Sequence, residues 1–130
     1  MENGVDVLKA RLKDRPNEFI SMRVLQDISD ESTKNEICNN HSKLAQEEPD
    51  NPDFYYLSIR CMEDGEEQDQ KFLEGFKKWK DHNWLAYASG YIYSKENKLK
   101  DAYAAYKIAA RRNPTIRNIC LLYTSDAADD

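Results

Sequence analysis

Few residues in this chain have types and spacings that could do chemistry. Cys38 and His41 lie three apart, a spacing that puts both on one face of a helix and could supply half of a zinc site. A structural zinc site needs about four ligands, and Cys61 and His82 show no organised spacing with that pair. No metal is therefore expected. Cys38 and Cys61, on separate predicted helices and without CxxC spacing, read as small buried hydrophobes, not as a disulfide framework or redox motif. Lys77, Lys78 and Lys80 flank Trp79, which superficially resembles a nucleic-acid patch. They close a predicted helix with Glu74 and Asp81 nearby, where positive charge complements the helix dipole; Lys107, Arg111 and Arg112 read the same way. No Gly-rich phosphate loop, nucleophile elbow, paired-histidine metal motif or Cys–His signature occurs. The expectation is a protein with no catalytic residue, no cofactor and no enzyme activity.

Composition narrows the class further. The chain has 130 residues, 40% hydrophobic and 33% charged, with four Gly and four Pro, which favours one helical domain over disorder or a β-sandwich. No run of about 18 apolar residues is present, and the charged N-terminus MENGVDVLKARLKD lacks the apolar stretch of a signal peptide. These absences favour the cytoplasm.

Hydrophobic periodicity then supplies the elements. Val5, Leu8 and Leu12 predict a helix from Asn3 to Asp14. Pro16 is expected in the first turn of a second, ending near Ile28. Thr33 and Glu36 have capping-box spacing for a third, running to about Glu48. Asn51 and Pro52 open a fourth, to about Glu63, whose Phe54, Tyr55, Tyr56, Leu57, Ile59, Cys61 and Met62 cover more than one face and require contact on several sides. A fifth spans Glu66 to about Asp81, and Asn83 is expected to cap a sixth. Trp84–Pro114 reads as two amphipathic helices around a polar turn, with Gly90, Ala102 and Ala109 as small contacts and Tyr93, Leu99 and Tyr106 filling the space around them. A further helix is expected after Pro114, from Ile116 and Ile119.

An internal repeat links these pairs. Ile20–Leu25, ISMRVL, matches Leu57–Met62, LSIRCM, and both match Ala88–Tyr93, ASGYIY, in pattern, at spacings of 37 and 31 residues. Together with Gly90, Tyr93, Ala102, Tyr106, Ala109 and Pro114, this pattern resembles the tetratricopeptide repeat, whose period is about 34 residues. The resemblance is fullest in the third unit. Met22 and Ile59 stand where Gly90 stands, and Ile37 replaces the first small alanine, so Sel1-like or half-a-TPR hairpins are related alternatives. The fold it implies is all-α: antiparallel helix–turn–helix repeats stacked as a short α-solenoid. Residues 1–15 would form a capping helix or the second half of a preceding repeat, with Met1 then an internal methionine, and 16–119 about three units plus the start of a fourth.

The resemblance also implies a site. First helices of tetratricopeptide units line a concave peptide-binding face, and the phase of Gly90 carried through the internal repeat puts Phe19, Arg23, Tyr56, Arg60, Trp84, Tyr87 and Tyr91 on it. Arg23 and Arg60 could grip carboxylates of a protein or peptide partner by charge-assisted bonds; alternatively both pair with acidic neighbours and the aromatics pack between units. The lysine and asparagine clamp of chaperone-binding members is not visible, because arginine and tyrosine occupy matching positions. A regulatory or assembly segment of a larger enzyme or membrane protein is a second possibility, and an RNA-binding helical repeat a third.

Cys120–Asp130, CLLYTSDAADD, is similar to the translation of a transposase sequencing-library adapter and is expected to be non-native. Without it, 19 basic residues face 21 acidic ones and the net charge moves from −5 to −2, too small a field to steer nucleic acid. An interruption there would leave Tyr103, Tyr106 or Ile108 with exposed apolar surface and a route to self-association.

Overall fold

A computed structural model describes residues 4–111, all-helical apart from turns. The helices are α1 (Gly4–Asp14), α2 (Phe19–Ile28), α3 (Glu31–Glu47), α4 (Pro52–Arg60), α5 (Glu66–Lys78), α6 (Asn83–Lys95) and α7 (Leu99–Ala110). None is long and apolar enough to cross a membrane. The expected helix after Pro114 and the adapter-like Cys120–Asp130 lie outside the described residues. The chain divides into two compact units, Met1–Met62 and Glu63–Asp130.

In the first unit α1 packs on α2, α3 on α4, and α2 touches both α3 and α4. Met22, Phe54 and Leu57 form its core, with Leu12, Phe19, Leu44 and Ala45 packed against them. α4 buries Phe54, Tyr56, Leu57 and Ile59, so its apolar excess is met by neighbours on more than one side.

The turns of this unit differ in detail from expectation. Pro16 lies before α2, not in its first turn, because Asn17 adopts φ 64° and ends the α1 connection. Asparagine tolerates this left-handed geometry better than most residues. Glu18 then ties the corner together: its carboxylate accepts from Arg11, Arg15 and Ser21. Hydrogen bonds from Arg11 first and Ser21 next hold its pKa down at about 2. Asp30, and not the Thr33–Glu36 pair, caps α3, accepting from the Thr33 amide at 2.8 Å. Asn51 caps α4 as expected, bonding the amides of Asp53 and Phe54.

In the second unit α6 packs on both α5 and α7. His82 caps α6 in place of the expected Asn83, its Nδ1 accepting from the Leu85 amide at 3.2 Å. Leu85, Ala86 and Ser89 are fully enclosed along α6, and Ala102, Ala105 and Ala109 along α7. Gly90 explains the tight α6–α7 contact: a Cβ built there would meet the Tyr106 ring at 2.7 Å. Only a residue without a side chain lets that ring lie against the helix backbone. Tyr106 is consequently buried, while Tyr103 is 51% exposed and Ile108 lies between. Leu99, expected to fill the hairpin, is instead exposed.

Candidate functional site

Four of the seven expected groove residues lie in the first unit, where α2 and α4 bring them close. The Phe19 and Tyr56 rings are 5.9 Å apart, and the Arg60 guanidinium lies 6.0 Å from the Tyr56 centroid. Tyr56 is only 3% exposed, so its ring serves packing more than contact with a partner. Arg23 and Arg60 converge on one carboxylate. Asp27 Oδ1 accepts from Arg60 Nη2 at 2.6 Å, and Asp27 Oδ2 lies 3.8 Å from Arg23 Nη1. Arg60 Nη1 also donates to the Arg23 carbonyl at 3.3 Å and to Gln26 Oε1 at 3.0 Å. Of the two readings of these arginines, pairing with an acidic neighbour describes their geometry.

Behind Arg60 lies a buried polar cluster that sequence patterning did not single out. Gln26, 2% exposed, donates through Nε2 to the Leu57 carbonyl at 2.9 Å and to His41 Nδ1 at 2.8 Å. The Arg60 contact fixes the amide orientation, since its oxygen must face the guanidinium. That orientation assigns the His41 tautomer: Nδ1 accepts and the proton resides on Nε2. Burial first, and the Arg60 charge second, push the His41 pKa down to about 4, so the ring is neutral near pH 7. A signal for the cluster was available. Met22, Leu25 and Gln26 follow the spacing of a buried stripe, and a glutamine on such a stripe must find hydrogen-bond partners.

Cys38 and Cys61 overturn one expectation outright, for they are joined as a disulfide with their Cα atoms 5.8 Å apart. The bond crosses from α3 to the end of α4, and the Cys61 sulfur also lies 3.4 Å from Gln26 Nε2. Sequence spacing could not reveal it, because the two cysteines meet only through the α3–α4 pairing. Disulfides persist in oxidising compartments and are rare in the cytosol. This bond therefore runs against the cytoplasmic expectation. With Cys38 so engaged and His41 bonded to Gln26, the pair does not form half of a metal site. Among the described residues no three His, Cys, Asp or Glu side chains gather where an ion could be held.

The remaining three groove residues lie on α6 of the second unit. Trp84 is 9% exposed and meets Tyr87 edge-on at 6.0 Å, and Tyr87 in turn lies 5.8 Å from Tyr106. Tyr91 is 55% exposed, with the Lys95 ammonium 5.2 Å from its ring centroid. Lys95 also reaches Asp69 of α5 at 3.3 Å. The helix thus grades from an enclosed tryptophan at its start to an open tyrosine two turns later. Compared with known proteins, the chain matches no family model, no curated protein and no solved structure.

Proposed function

We propose that the chain is a non-catalytic, protein- or peptide-binding scaffold built from tetratricopeptide-like helical hairpins. The observation that carries the reading is the Gly90–Tyr106 crossing, where a Cβ would stand 2.7 Å from the tyrosine ring. A glycine on the first helix beneath an aromatic on the second is what the repeat pattern requires of a hairpin. The crossing also holds Tyr87 by its ring contact with Tyr106, while Tyr91 and Lys95 face outward. An exposed tyrosine, Tyr91, with an adjacent ammonium shared with Asp69 suits recognition of an extended segment bearing carbonyl or carboxylate groups. Arg23 and Arg60 contribute less charge to a partner than their number implies, because Asp27 offsets one of the two.

The test is selection from a displayed random-peptide library against the full chain, followed by affinity measurement on Tyr91→Ala and on Tyr87→Ala. Loss of roughly tenfold or more in the Tyr91→Ala chain, with helicity unchanged, is the expected result for an aromatic hot spot. Enrichment of no peptide, or peptides indifferent to both substitutions, would sink the reading.

A further inference from the structure

The first unit contains a cleft unrelated to the peptide-binding reading. It has a volume of about 440 Å³ and opens between α1, the Pro16–Asn17 turn, α2 and α3. That is within the roughly 300–1,000 Å³ range of small-molecule sites. The walls differ in chemistry. Leu12, Leu25, Ile37 and Leu44 give it aliphatic surface, and no phenylalanine, tyrosine or tryptophan lines it. Lys9 and Lys13, one helical turn apart on α1, form one side, with the Asp30 carboxylate within electrostatic reach of Lys9. Glu36 and Asn40 of α3 line it as well, leaving the rim with a net positive charge.

His41 supplies the remaining polar group. It is 4% exposed, it lines the cleft, and its Nδ1 is committed to Gln26, which leaves the proton on Nε2 without a partner among the described residues. An N–H of this kind, open to the cleft, is a ready donor to a ligand oxygen. The cleft is also held in shape. Glu18 clamps α1 to the start of α2 through Arg11 and Ser21, and Gln26 fixes the histidine from behind.

We propose that this cleft binds a small aliphatic monocarboxylate, with its chain against Leu12, Leu25, Ile37 and Leu44 and its carboxylate taken by Lys9, Lys13 and the His41 Nε2–H. The absence of phenylalanine, tyrosine and tryptophan from the lining disfavours a large flat heteroaromatic ligand, for which stacking would be needed. A dianionic phosphate would have to sit beside aliphatic surface and Glu36, and is disfavoured by both.

Octanoate is the probe, added to the full oxidised chain and followed by NMR at the histidine ring protons. The chain has two histidines, and His82, in the second unit, serves as the internal control. Octanoate is expected to shift the His41 signals saturably and to leave those of His82 in place. Octan-1-ol, with the same chain and no charge, should bind roughly fivefold more weakly, the effect of two exposed lysines on one anion. The double substitution Lys9→Ala with Lys13→Ala alters only exposed side chains and should reduce octanoate to the affinity of octanol, with helicity retained. Unmoved His41 signals, equal binding of octanoate and octanol, or full octanoate affinity in the double variant would each overturn the proposal. None of these outcomes bears on peptide selection through α6.

Discussion

The two units treat the same repeated serine in different ways. In the first, Ser21 donates to Glu18 and Ser58 to the Tyr55 carbonyl; in the second, Ser89 is fully enclosed and its hydroxyl has no hydrogen-bond partner among the described residues. The wider construction follows this division. The first unit is latched by polar and covalent links: Gln26 joins α2 to α3 and α4, Arg60 ties α4 back to α2, and a disulfide ties α3 to α4. The second is closed by proximity, with Gly90, Ala102 and Ala109 letting helices approach and Tyr106 occupying the gap. Polar latches are specific but lose much when one member goes, because the others are left buried and unpaired. Close packing has no such partners to orphan, and its weakness is added volume.

The largest expected effect is therefore in the first unit. Gln26→Leu leaves the Leu57 carbonyl, His41 Nδ1 and one Arg60 N–H without their partner, and should destabilise by about 4 kcal/mol from several orphaned groups. A loss under about 1 kcal/mol in denaturant titration would show that the latch is dispensable. Reduction of Cys38–Cys61 releases a cross-link spanning 23 residues and should cost about 3 kcal/mol in the same assay. Cys38→Ala with Cys61→Ala should reproduce that loss and be insensitive to reductant.

Acid should act on the first unit in two windows. His41 has a folded pKa near 4 against an ordinary value of 6.5, so the unfolded chain binds its proton first and stability is lost as pH falls between those values. The loss is about 3 kcal/mol by linkage, present in full only below the folded value. Glu18, held near 2, adds a further loss as pH drops from about 4.5, where Arg11 and Ser21 cease to be bonded to a carboxylate. His41→Gln should remove the upper window from a pH–stability profile and leave the lower one.

The smaller effects sharpen the second unit. Gly90→Ala gains about 1 kcal/mol in helix propensity but drives a methyl into the Tyr106 ring, an overpacking cost of about 2–3 kcal/mol. The net expectation is about 1–2 kcal/mol of destabilisation, recovered in part by Tyr106→Leu in a double-mutant cycle. Ser89→Ala should go the other way and stabilise by about 0.5–1 kcal/mol, since it removes an enclosed hydroxyl that bonds nothing. An equal change at Ser21→Ala would erase the distinction between the units.

Much of the helical outline was legible from spacing. Apolar residues at helical intervals located all seven described helices, and Asn51–Pro52 marked the start of α4 to the residue. The ends were less legible. Asp30 and His82 took the caps assigned to Thr33 and Asn83, three residues and one residue away, because the choice among nearby polar residues depends on local backbone angles. For the candidate site, the pattern placed Arg23 and Arg60 on equivalent turns, but it could not weigh Asp27 against a partner's carboxylate.

The sequence by itself determined where helices form and that Gly90 and the alanines of α7 would be contact points, since both follow from periodicity and side-chain size along one segment. Only the tertiary structure decided that Cys38 meets Cys61, that Gln26 sets the His41 tautomer, and that lysines of α1 stand beside an aliphatic cleft. Those depend on which faces of separate helices meet and at what offset. Such pairings are fixed by packing over the whole unit, and no local pattern of residues carries them.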